Sequence, residues 1–95
     1  MTKDEVKDFI KALKTGEVHF KYLKKDGSLR KAHGTMKPHL IPNIKAKKPT
    51  DKDMDNMQRR AIKRRHLPED SIFYYDLDKK AFRSFKSTRF EGYVD

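Results

Sequence analysis

Ninety-five residues suit one domain and leave no room for a second core. Only 35% are hydrophobic and 40% are charged, so the core has to be thin and the fold marginal. The 24 Lys and Arg against 14 Asp and Glu leave a net charge of +10, which attracts polyanions, and the lack of cysteine excludes disulfides and thiolate metal sites.

Residues 2–15 are expected to form a helix. Val6, Phe9, Ile10 and Leu13 recur at the spacing of one apolar stripe. Thr2 and Glu5 have capping-box spacing, Asp4 and Glu5 sit at the positive end of the dipole, and Lys11 and Lys14 sit at the negative end. Gly16 is placed to end the helix in a left-handed conformation.

Residues 17–36 read as a β-hairpin, with Val18, Phe20 and Tyr22 alternating with His19, Lys21 and Leu23 around an Asp26-Gly27 turn. A two-residue loop would set Phe20 opposite His33. A three-residue loop, with Gly27 in the left-handed bulge position, sets Phe20 opposite Ala32, Val18 opposite Gly34 and Leu23 opposite Leu29. The second register pairs like with like and is preferred.

Residues 37–70 form a basic insert that contains Pro38, Pro42, Pro49 and Pro68, which disfavour strands. Lys45 to Arg65 carries nine Lys or Arg against three Asp. Thr50 to Arg65 has the marks of a second helix: Thr50 as cap, Asp51, Asp53 and Asp55 early, and a basic last turn. Met54, Met57, Ala61 and Ile62 give it a weak apolar face, and a solvated loop is the alternative. Strands return over residues 71–94: Ser71 to Tyr75, a turn through Asp76-Leu77-Asp78-Lys79-Lys80, Ala81 to Lys86, and a last short strand from about Arg89 to Val94. The expected fold is α+β and mainly β: an SH3-like or Sm-like barrel of about five antiparallel strands with an N-terminal helix and the basic insert.

Two segments resemble the WYL-like family of Sm/SH3-like barrels, found largely in bacteriophages and in bacteria carrying mobile elements. Residues 20–36 are similar to its opening hairpin. Residues 73–90, with Phe73-Tyr74-Tyr75-Asp76-Leu77 and then Phe82-Arg83-Ser84-Phe85, are similar to its closing segment. The Arg-x-Phe ending followed by another Arg is matched by Arg83, Phe85 and Arg89. The resemblance implies a barrel and, at one remove, a ligand- or nucleic-acid-sensing module with basic residues near the closing motif. The sequence departs from the wider family in having no Trp, and no helix-turn-helix or enzyme domain to regulate is expected within these residues.

The function expected is non-enzymatic binding of nucleic acid, DNA or RNA, through its phosphate backbone. Candidate contacts are Arg30, Lys31, Arg83, Lys86 and Arg89 on the barrel, with Lys24 beside them, and Arg59, Arg60, Lys63, Arg64 and Arg65 on the insert. Tyr74 and Tyr75 are candidates for stacking on bases, because alternation should turn some of Phe73, Tyr74 and Tyr75 outward; for each one alone, a place in the core is the commoner fate. His19, His33, His39 and His66 have neither i, i+4 nor HExxH spacing, so no metal is expected. No Gly-x-Ser-x-Gly or phosphate-binding Gly loop is present, and Asp76 and Asp78 read as turn residues, so no catalytic residue and no cofactor is expected. The start Met1-Thr2-Lys3-Asp4-Glu5 lacks a secretory pattern and no apolar run reaches ~20 residues, which points to the cytoplasm and away from a membrane. The rival expectation is a phage- or mobile-element-encoded interaction module or inhibitor that docks on an acidic surface of a host protein.

Overall fold

Helix α1 (Lys3–Thr15) starts at the expected capping box. The Glu5 N–H donates to the Thr2 hydroxyl and the Thr2 N–H to the Glu5 carboxylate, each at 3.1 Å. Phe9 and Leu13 of its stripe are fully buried. The structure, a computed structural model, describes residues 1–42, 50–68 and 70–94. Lys45, Lys47, Lys48 and Pro49 of the basic insert lie outside the described residues.

Gly16 does not take the left-handed cap. Its φ of 173° is extended, because the chain passes straight into strand β1 (Glu17–Leu23). The helix-end carbonyls are satisfied from the far end of the following hairpin instead. The Thr35 hydroxyl donates to the Gly16 carbonyl at 2.7 Å, and the Met36 N–H donates to that of Leu13 at 2.7 Å. A side chain 19 residues away has replaced the local reversal that a left-handed glycine would make.

Strand β1 pairs with β2 (Leu29–Thr35) in the three-residue-loop register: Phe20 faces Ala32, Val18 faces Gly34 and Leu23 faces Leu29. Gly27 has the positive φ, 87°, that the bulge requires. Helix α2 (Asp51–Arg64) follows, with a second capping box between Thr50 and Asp53. Strands β3 (Ser71–Asp76) and β4 (Ala81–Lys86) form a hairpin, and β5 (Phe90–Tyr93) returns to pair with β1. The sheet order is β4-β3-β2-β1-β5, all neighbours antiparallel.

One face of this curled sheet is the barrel interior. Phe20 and Tyr22 of β1, Ala32 and Gly34 of β2, Ile72 and Tyr74 of β3 and Phe85 of β4 share it by register. Helix α1 plugs it: the Phe9 ring meets Phe20 edge-on at 4.9 Å and Phe90 at 5.3 Å. The Phe85 ring stacks on Tyr22 at 4.5 Å. Six aromatic rings thereby supply most of the bulk that a composition only 35% hydrophobic can assemble.

Strand β3 departs from the expected alternation, since all six of its residues are buried. Ile72 and Tyr74 face the interior, and helix α2 lies against the strand from the other side. Where β2 has already ended, the Gln58 side chain acts as a short substitute strand. Its amide N–H donates to the Phe73 carbonyl at 2.7 Å and its amide oxygen accepts the Phe73 N–H. Lys14 pairs with Asp55 at 3.0 Å and ties α2 to α1.

Gly34 leaves room for two rings. A Cβ there would sit 2.6 Å from Tyr74 Cδ2 and 3.1 Å from Phe20 Cε1. Gly34→Ala is expected to lose about 1–3 kcal/mol of stability, read as a lower urea midpoint; an unchanged midpoint would mean that the Tyr74 ring is not held there. Tyr74 also sets an alkaline limit. Burial first, then its 2.9 Å bond to the Tyr22 hydroxyl, push its phenol well above the ordinary value of 10.0. The unfolded chain therefore ionises first, so stability is fully present below pH ~10 and falls above it by up to ~1.4 kcal/mol per pH unit. Tyr74→Phe should flatten that fall in urea titrations across this range, whatever it costs at neutral pH.

Candidate nucleic-acid interface

At one end of the barrel the inward positions stop being apolar. Arg30 lies opposite Tyr22, Arg83 lies opposite Tyr74, and Asp76 ends β3 opposite Ala81. The Asp76 carboxylate is buried and uses its two oxygens differently. Oδ1 accepts the N–H groups of Asp78 and Lys79, each at 3.0 Å, which closes the β3–β4 turn. Oδ2 faces Arg30 Nη2 at 3.4 Å and Arg83 Nε at 3.3 Å. Two guanidinium groups from different strands are thus set around one fixed carboxylate, and the trio keeps a net charge of +1. Arg30 is 17% exposed and Arg83 36% exposed, so both still reach the surface.

That surface is a cleft of about 600 Å³. Arg30, Arg83 and Lys86 line it together with Arg89, which lies in the short turn Ser87–Arg89, and with Lys24 and Lys25 from the β1–β2 turn. Tyr22 and Phe85 form its apolar floor, and Leu67 and Pro68 a wall. Six cations line it and, among the described residues, no acid does. Concave walls of low dielectric concentrate such a field, so the cleft is a strong attractor for anions.

The sequence-predicted residues divide into groups. Arg30, Arg83, Lys86 and Arg89 come together at the barrel mouth. Lys31, opposite Lys21, lies on the other face of the hairpin. Arg60, Arg64 and Arg65 line a separate groove beside α2, and Arg59 and Lys63 are exposed on that helix. Tyr74 and Tyr75 do not serve as stacking platforms: they are 0% and 5% exposed, the first bonded to Tyr22 in the interior and the second packed on Phe82. Both faces of β3 are covered, so period-2 alternation turns neither ring to solvent. Two contributors were missed. Lys25 sits in a turn and carries no pattern of its own. Asp76 was read as a turn residue, which it is, but its second oxygen serves the arginines. The hairpin register already placed Arg30 on the same face as Ala32, and that was the available signal.

The outer face holds another polar group. His19 and His33 stack at 4.0 Å, and His33 lies 3.5 Å from Glu17 and 3.6 Å from Asp78. Among the described residues no three potential ligands are arranged to hold a metal ion. No described helix is long and apolar enough to cross a membrane.

Five antiparallel strands, the last returning to the first, and a helix plugging the interior define a small Sm/SH3-like barrel. A family model described as WYL_2, Sm-like SH3 beta-barrel fold, matches residues 6–91, and the chain belongs to that family. The resemblance carried by the two hairpins therefore extends across the insert between them. Comparison with curated proteins and with solved structures gave no significant match.

Asp76→Asn tests the clamp. The amide oxygen can keep the turn bonds, but the charge between the two guanidinium groups is lost, and an expected ~1.5–3 kcal/mol of stability with it. Lys86→Ala, at an exposed cleft position, should change stability by no more than ~0.5 kcal/mol. Equal denaturation midpoints for the two variants would show that Asp76 does not hold the arginines.

Proposed function

We propose that this chain is a non-enzymatic nucleic-acid-binding module that takes a phosphate backbone into the cleft at the barrel mouth. The observation that carries the reading is the convergence of six cations, from the β1–β2 turn, β2, β4 and the turn after it, on one concave surface with no acid among its described lining residues. Arg30 and Arg83 are pre-set by Asp76 and lose little freedom on meeting a phosphate. Lys24, Lys25, Lys86 and Arg89 add charge that can follow an irregular backbone. Tyr22 and Phe85, the aromatic floor, are 5% and 6% exposed, too little to offer a base a ring face, so sequence preference should be weak. The exposed α2 cations raise the approach rate through the overall field. In this reading the protein is phage-encoded and works in the cytoplasm of a bacterial host.

Fluorescence anisotropy with labelled single- and double-stranded DNA and RNA, at about 50 and 200 mM salt, tests it. Binding should weaken steeply between those concentrations. With up to six phosphates neutralised, the slope of log K against log salt for duplex DNA reaches roughly −5. Lys86→Ala and Arg89→Ala, neither of them paired to an acid among the described residues, should each weaken every sequence alike and reduce the slope by about 1. No binding at the lower salt, or affinity unchanged when Lys86→Ala and Arg89→Ala are combined, would overturn the proposal. The acidic surface of a host protein would then become the partner to seek.

A further inference from the structure

A second recess lies behind the barrel mouth and shares no lining residue with it. It is a groove of about 300 Å³ between the C-terminal half of α2 and the outward side chains of β3 and β4. Met57, Ala61 and Phe82 form an apolar floor with the buried Phe73, and Arg60, Arg64 and Arg65 stand along it. Helical spacing puts Met57, Ala61 and Arg64 on one face of α2, and Arg60 beside them.

Arg60 and Arg64 are exposed and make no ion pair among the described residues. The acid at the groove's end, Asp53, is engaged in the α2 capping box, where its carboxylate accepts the Thr50 N–H at 2.9 Å; it is held below its ordinary value chiefly by its Thr50 bonds and to a lesser degree by the charge of Arg60. Arg65 differs, since its guanidinium lies 5.0 Å from the centre of the Phe73 ring. Phe73 in turn stacks on Phe82 at 4.9 Å, and Tyr75 meets the edge of that pair at 5.2 Å. These rings are committed to one another, so a nucleobase has no free platform here. What remains on offer is a methyl, a thioether and part of one ring, flanked by two guanidinium groups that make no ion pair among the described residues.

That combination fits a peptide better than a nucleic acid. The floor of the barrel mouth is buried, but Met57, Ala61 and Phe82 here are only half-buried, so an apolar side chain with carboxylates on either side satisfies floor and rim together. Arg and aromatic residues are also the types that dominate binding energy at protein interfaces, and Met adapts its shape to what it meets. We infer that the α2 groove binds an acidic segment of a partner protein, with an apolar side chain seated over Met57, Ala61 and Phe82 and carboxylates paired to Arg60 and Arg64. The chain then has two separate faces, one for a nucleic acid and one for a protein.

The test is a titration of isotope-labelled protein, followed by NMR, with a short peptide that carries one Phe between Glu residues. Backbone signals of Ala61, Arg64 and Phe82 should move, while those of Lys25, Arg30 and Arg89 stay in place. Arg60→Glu with Arg64→Glu should weaken binding at least ~10-fold without altering the circular dichroism spectrum, since both side chains are exposed. Replacing the peptide's Phe by Ser should weaken it about as much. Three results would each overturn the inference: no binding of the Phe peptide, equal binding of a peptide of Glu alone, or shifts confined to the barrel mouth. Displacement of the peptide by an oligonucleotide from the same signals would also overturn it and assign the groove to nucleic acid. Oligonucleotide binding by the Lys86 and Arg89 variants is read separately, so either site can fail without the other.

Discussion

A strand with no solvent-facing side has to find a partner for every polar group it carries, and the rest of this structure is arranged around how β3 does so. Along its length it pairs with β4, residue for residue from Ser71 to Asp76. On its other edge β2 supplies only Gly34 and Thr35 before the chain turns away at Pro38. The gap is filled by Gln58, whose side chain reproduces the donor and acceptor of a missing strand residue. An unpaired N–H and C=O buried there would together cost several kcal/mol. Helix α2 is therefore fixed by a polar requirement of the sheet as well as by its weak apolar face. The same requirement at the end of β3 is met by placing Asp76 where one oxygen closes a turn and the other holds two arginines.

The barrel mouth is built from positions that would otherwise be core. Arg30 and Arg83 occupy inward-facing places in their strands, directly opposite Tyr22 and Tyr74. Setting two guanidinium groups side by side beneath a tyrosine pair is unfavourable without a counter-charge, and Asp76 offsets it. The loss of apolar bulk there is balanced by α1, whose Phe9 and Leu13 are completely buried, the Phe9 ring against Phe20 and Phe90. The apolar burial of α1 and the cluster of cations thus occupy different parts of one small barrel. A chain with so little hydrophobic material can support both because its aromatic residues are large and Gly34 allows two of them to meet.

What was legible in the sequence was local. Thr2 with Glu5 announces a helix start because a capping box closes within four residues, and Thr50 announces another as a cap followed by acids. The β1–β2 register followed from one glycine and the matching of side chains across the strands. The misreadings all involve distant segments. Gly16 looked like a helix stop of the left-handed kind, but Thr35 had taken over the job of that turn. Tyr74 and Tyr75 looked like alternating residues of a half-exposed strand. Alternation tells which face a side chain belongs to and is silent on whether the second face is covered, and here α2 covers it. The basic residues could be counted but not sorted, because proximity in sequence separates Arg30 from Arg83 and unites Arg59 with Arg60, the reverse of what the fold does.

Strand β4 shows how two recesses coexist on so small a protein. Phe82 and Arg83 are neighbours in the chain and point to opposite faces of the sheet, the first into the α2 groove and the second into the barrel mouth. Ser84 and Phe85 repeat the division, although both line the mouth, which wraps around the strand's end. One edge strand thus supplies a wall to each recess with alternate residues, and neither use displaces the other. The consequence is a strand that cannot be apolar on either side. Arg83 is inward yet partly exposed, Phe82 is outward yet partly buried, and the adjacent Phe82-Arg83 pair is the trace that this double duty leaves in the sequence. A residue pattern of this kind carries information about surface chemistry as much as about core packing.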